Sequence, residues 1–128
     1  MKYIKLILVF ISLFLGFSSS FSQTKIISYN IRYNTPNDGE NWRELRKDEV
    51  LELLKYYSPD LIGIQEAMPN QLKFVANNLD KYNYIGHGRN GLITHSEGIP
   101  LFYNSDKYRL LKQEVFWLSE TPQKISKG

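Results

Sequence analysis

The sequence predicts an α/β fold that begins with a βαβ unit, and three features carry that expectation. Lys25-Ile26-Ile27-Ser28-Tyr29-Asn30-Ile31 is rich in β-branched and aromatic residues and reads as a strand. In residues 42–57, Val50, Leu53, Leu54 and Tyr57 recur at the i, i+3, i+4, i+7 spacing of one helical face. Leu61-Ile62-Gly63-Ile64 is then a short, continuously apolar run of the kind buried on both faces of a sheet. Strand, helix and strand in this order give parallel strands joined by a right-handed crossover.

The first segment is set apart from the fold. Met1-Lys2-Tyr3-Ile4-Lys5 is a short basic stretch, followed by an apolar run to Phe17 and then small residues, with Ser20 and Ser22 placed for cleavage. This is the pattern of a secretory signal peptide over residues 1–22. The apolar run is short against the roughly 20 residues needed to span a bilayer. The mature chain, residues 23–128, is thus expected to be exported, to the periplasm or outside the cell. Its net charge falls from +3 to +1 once Lys2 and Lys5 are gone. So even a balance argues against a stable, sequence-independent nucleic-acid complex. With no cysteine anywhere, disulfides and zinc–thiolate sites are excluded and burial must supply the stability.

The elements follow in order. Residues 34–41 are turn-rich, and Asn41 followed by Glu44 suggests a capping box opening the first helix. Ser58-Pro59-Asp60 ends it. Residues 69–80 read as a second helix, with Pro69 at its first position and Leu72, Val75, Ala76 and Leu79 facing the core. Residues 82–85, 98–103, 108–111 and 115–118 are expected as further strands, separated by the turn-like residues 86–91 and 104–106.

Two parallel strands place their carboxyl ends at one edge of the sheet, where ligands bind in open α/β folds. Asn30 ends the first strand and Gln65-Glu66 the second, so an amide and a carboxylate are expected to converge. Hard divalent cations take oxygen ligands of this kind. On the residues alone a turn-forming Asn and a solvated Glu are the more ordinary readings.

Ser28-Tyr29-Asn30-Ile31-Arg32 resembles the opening N-I-R motif of the endonuclease/exonuclease/phosphatase superfamily. Asp60 to Glu66, preceded by Pro59, is similar to its P-D-I-I-G-L-Q-E segment, and Trp42-Arg43-Glu44-Leu45-Arg46 to its W-x-x-R. Gln71-Leu72 matches a following Q-L. Glu97 to Tyr103 and Phe116 to Pro122 resemble segments of a secreted bacterial subgroup.

The resemblance implies the N-terminal half of a two-sheet sandwich flanked by helices, incomplete at the C-terminus. It implies Glu66 as the principal metal carboxylate, Asn30 as a helper at the metal, and Glu97 as the acid orienting a catalytic histidine outside this chain. The cofactor implied is Mg²⁺ or Mn²⁺. The function implied is phosphoester hydrolysis, as phosphodiesterase, nuclease or phosphatase, on a substrate of open class. The alternatives are a catalytically inactive fragment awaiting a C-terminal half, or an exported noncatalytic binding module. His87 and His95 read as loop residues. Arg32 reads equally as a phosphate contact or an exposed side chain, Arg89 as a loop side chain within reach of an anionic substrate but in no P-loop, and Arg46 as a structural ion pair. Tyr82, Tyr84, Tyr103, Phe116 and Trp117 read as core aromatics.

Overall fold

The structure, a computed structural model, describes residues 23–126. The expected signal peptide over residues 1–22 lies outside them. Four strands and two helices follow in chain order: β1 (Ile26–Asn30), α1 (Arg43–Tyr57), β2 (Leu61–Gln65), α2 (Pro69–Asn78), β3 (Tyr82–Ile85) and β4 (Leu101–Asn104). They form one sheet in the order β1-β2-β4-β3. The β1–β2 pair is parallel, with Ile26 opposite Leu61 and Asn30 opposite Gln65, as the βαβ expectation requires. The β2–β4 and β3–β4 pairs are antiparallel.

Alternation along the strands divides the sheet into two unlike faces. Ile62, Ile64 and Phe102 point to one side, where Val50, Leu51 and Leu54 of α1 and Leu72 and Val75 of α2 bury them. Phe74 of α2 lies beneath the guanidinium of Arg43 and the ammonium of Lys47, two cation–π contacts that tie the helices together. The other face, which includes Ile26 (64% exposed) and Leu101 (37% exposed), carries no helix among the described residues.

The sheet is clamped at its lower end by Asp60. This buried carboxylate accepts Lys25 N–H at 2.8 Å and the Lys107 ammonium at 2.7 Å. The two donors, Lys107 first, hold its carboxyl below the usual carboxylate range against the opposing effect of burial.

Several expectations are corrected. Helix α1 starts after Trp42 without a side-chain cap, because residues Pro36–Asn41 form a 3₁₀ segment that uses Asn41 as its last turn. Glu44 pairs with Arg43 and Lys47 instead of reaching back to Asn41. The buried stripe of α1 runs through Val50, Leu51 and Leu54, while Leu53 and Tyr57 are exposed. The αL conformation of Ser58 (φ 41°) closes the helix before Pro59.

The expected strands at 108–111 and 115–118 do not form. β4 already has a neighbour on each side, and neither segment pairs with the outer strands β1 and β3. Leu111, Phe116 and Leu118 are therefore exposed, and residues 117–124 turn on themselves through Trp117 N–H to Pro122 O at 2.9 Å. Tyr84 and Phe116 are exposed as well, so they are not core aromatics. Among the described residues no helix is long and apolar enough to cross a membrane.

Candidate metal-binding site

At the carboxyl end of the parallel pair the chain leaves the sheet twice, and each exit is bent. Arg32 has φ 67° and Glu66 φ 60°, left-handed conformations that cost a residue with a Cβ about 1–3 kcal/mol each. Such backbone persists only where its surroundings hold it, and both exits are held. Ile31 N–H donates to Gln65 O at 3.2 Å, joining the two exits. Beyond Glu66, Ala67 and Gly98 exchange two backbone hydrogen bonds, of 3.2 and 2.9 Å. Gly98 is required there: a Cβ would meet the Ile93 side chain at 2.4 Å.

The two bends bring Asn30 and Glu66 together. Asn30 Nδ2 donates to Glu66 Oε1 at 2.7 Å, and Tyr33 N–H donates to Glu66 Oε2 at 2.8 Å. Asn30 Oδ1 accepts Arg32 N–H at 2.9 Å, which fixes the amide with its nitrogen toward the carboxylate. In this arrangement Asn30 steers Glu66 first, and only the second lone pair of its oxygen is left for a cation. The Asn30 and Tyr33 donors hold the Glu66 carboxyl below its ordinary range, with the charge of Arg32 adding to them and burial opposing. Glu66 is therefore ionised at neutral pH.

The donor set fits a hard divalent cation. An ionised carboxylate offers roughly four lone-pair sites and Glu66 uses two of them on its protein donors. The set is also incomplete: among the described residues no group of three or more His, Cys, Asp or Glu side chains is placed to hold a metal ion.

The remaining sequence candidates are placed nearby or apart. Arg32 forms a two-pronged ion pair with Asp38, which orients its guanidinium and holds the Asp38 carboxyl low. Arg46 makes no ion pair among the described residues; its guanidinium donates to Asn41 O at 2.7 Å and Ile31 O at 3.3 Å, bracing the loop between β1 and α1. Glu97 precedes Gly98, so its backbone runs beside the Glu66 exit, but its carboxylate turns to Arg89 at 3.4 Å. No hydrogen bond joins it to Asn30 or Glu66 among the described residues. His87 meets the ring of Trp117 edge-on, with centroids 5.3 Å apart, and His95 bonds Thr94.

Sequence reasoning gave two contributors no role. Gln71, one of two buried polar residues among the described residues, joins α2 to the Arg32 loop. Its place two residues after Pro69 at the helix start was the available signal. The Tyr33 N–H, a backbone group, left none.

The fold is an open α/β sheet with an ionised carboxylate at its parallel edge, and comparison gives the family. Residues 27–119 match the model of the Endonuclease/Exonuclease/phosphatase family, and the chain belongs to that family. It is similar to the endonuclease/exonuclease/phosphatase from Bacteroides vulgatus, with 38% identity over 82% of this chain and 40% of that one, at a TM-score of 0.77. It is also similar to the mannosyl-6-phosphatase of Bacteroides thetaiotaomicron, with 34% identity over 83% of this chain and 40% of that one, at a TM-score of 0.77. A humanized D. rerio TDP2 shares the fold at 18% identity over 73% of this chain and 35% of that one, with a TM-score of 0.58. The chain thus spans about 40% of the length of the first two solved relatives. No curated protein sequence matches it.

Proposed function

We propose that this chain supplies the cation-holding acid of a metal-dependent phosphoester hydrolase, with Glu66 as that acid and Mg²⁺ or Mn²⁺ as the cation. The reading is carried by one observation: Glu66 is ionised and gripped at both oxygens, by Asn30 and by Tyr33 N–H, at the carboxyl end of the parallel strands. When bound, such a cation neutralises charge developing on a phosphoryl oxygen. Glu66 and Asn30 would hold it, and Arg32, turned by Asp38, would offer its free guanidinium N–H groups to the phosphate. Glu97 stands as the acid that orients a histidine from the rest of the domain.

The substrate reading is a small phosphomonoester such as a sugar phosphate. Support comes from the near-neutral mature chain and from the similarity to a mannosyl-6-phosphatase. The exposed sheet face around Ile26 and Leu101 is where the rest of such a domain would pack. Export through residues 1–22 belongs to the same reading, and N-terminal sequencing of secreted protein beginning at Gln23 would support it.

Turnover is the test. The complete domain carrying this chain is assayed with mannose 6-phosphate, bis-p-nitrophenyl phosphate and duplex DNA in the presence of Mg²⁺. The expected result is hydrolysis of the sugar phosphate, lost by orders of magnitude in Glu66→Ala. Equal rates in the variant would remove Glu66 from the chemistry, and preferential cleavage of DNA would overturn the substrate reading.

A further inference from the structure

We infer that Gln71 aims the Glu66 carboxylate by fixing the plane of a single peptide group, an inference that rests on Glu66 being the cation-holding acid. A trans peptide is planar, so its C=O and N–H point in opposite directions and turn together. The group between Arg32 and Tyr33 is gripped at both ends. Gln71 Nε2 donates to Arg32 O at 2.8 Å, and Tyr33 N–H donates to Glu66 Oε2 at 2.8 Å. Rotating that plane would take the N–H off the carboxylate and leave a buried Gln71 amide without an acceptor.

Gln71 is itself unable to turn. It is 3% exposed, and its Oε1 accepts Met68 N–H at 3.0 Å, so each end of the side-chain amide has one admissible partner. It stands in the first turn of α2, which Leu72 and Val75 root in the core. The anchor is therefore the rigid helix, and the loop it holds is the strained one. Arg32 at φ 67° relaxes unless restrained, and its restraints are the Gln71 bond, the Asn30 bond and the Asp38 pair. Gln71 reaches neither Glu66 nor the place of a cation. It is a positioning residue, acting across 39 positions of sequence through one peptide.

Gln71→Glu separates this role from helix capping. A glutamate keeps the acceptor for Met68 N–H but sets an oxygen against Arg32 O, where a donor is needed. Amide exchange at Met68 and Tyr33 is followed by NMR on the full chain, alongside titration with Mn²⁺. Protection at Met68 is expected to remain and protection at Tyr33 to be lost. Mn²⁺ affinity should fall about 10–100-fold, the usual effect of removing a partner that orients a metal ligand. Gln71→Met, close in volume and able to make neither bond, should lose protection at both amides and weaken Mn²⁺ binding equally.

Undiminished protection at Tyr33 in Gln71→Glu would overturn the inference and leave Gln71 a helix cap. So would unchanged Mn²⁺ affinity in that variant. A wild-type chain that takes up no Mn²⁺ would bring down the cation reading itself and with it the purpose assigned to Gln71, whereas the exchange data would still report whether Gln71 holds the peptide.

Discussion

Asn30 and Glu66, 36 positions apart, are joined by a 2.7 Å hydrogen bond between the amide nitrogen and a carboxylate oxygen. The bond spans the ends of two parallel strands, and the amide is oriented by Arg32 N–H on its other side. It follows that Asn30 governs the direction of the acid more than it supplies oxygen to a cation.

Asn30→Ala is therefore expected to weaken Mn²⁺ binding about 10–100-fold through loss of that orientation. Asn30 is exposed, so the fold should survive. Calorimetric titration measures the first, and the thermal midpoint the second.

The pH dependence of cation uptake follows from the same bonds. Asn30 and Tyr33 stabilise the ionised form of Glu66, so its proton returns only at a pH below the ordinary glutamate value of about 4.3. Mn²⁺ binding should accordingly stay level from pH 7 to 5 and fall off below the usual carboxylate range. In Asn30→Ala the decline should begin at higher pH. Titrations at stepped pH measure both.

Asp60 makes a prediction about stability. Its folded pKa is depressed, so the stabilisation it contributes is present above the unfolded value near 3.9 and lost as pH falls through the folded one. Asp60→Asn should lower stability at pH 7 and flatten its loss in acid. Thermal midpoints collected between pH 7 and 2 would show it.

Leu54 is 1% exposed and central to the helix-covered face of the sheet. Truncation to alanine should cost about 2–5 kcal/mol, read from urea unfolding. Leu53→Ala, one residue away on the exposed side, should cost far less.

The contrast between these two leucines marks how far the sequence could be read. Periodicity placed α1 and the parallel pair correctly, because helix and strand periods are local properties of the chain. It assigned Leu53 in place of Leu51 to the core, since the roll of a helix on a sheet is set by packing that the spacing does not encode. The strand expectation at 108–111 failed for a related reason: propensity marks a segment that would suit a sheet, but whether it pairs is decided by tertiary context.

The site divides the same way. Convergence of Asn30 and Glu66 was legible, since parallel strands bring their carboxyl ends together whatever their sequence separation. The left-handed bends at Arg32 and Glu66, the Tyr33 N–H and the bond of Gln71 to Arg32 O were not. These belong to backbone geometry fixed by the tertiary structure. Arg46 was misread because an arginine's charge suggests an acidic partner, whereas the carbonyl oxygens of Asn41 and Ile31 satisfy it.

Glu66 as the seat of a divalent cation is tested most directly by Mn²⁺ titration of the wild-type chain and of Glu66→Gln, a change that keeps shape and removes charge. A saturable isotherm in the wild type that disappears in the variant, with both thermal midpoints alike, is the expected outcome. Superimposable isotherms would contradict it.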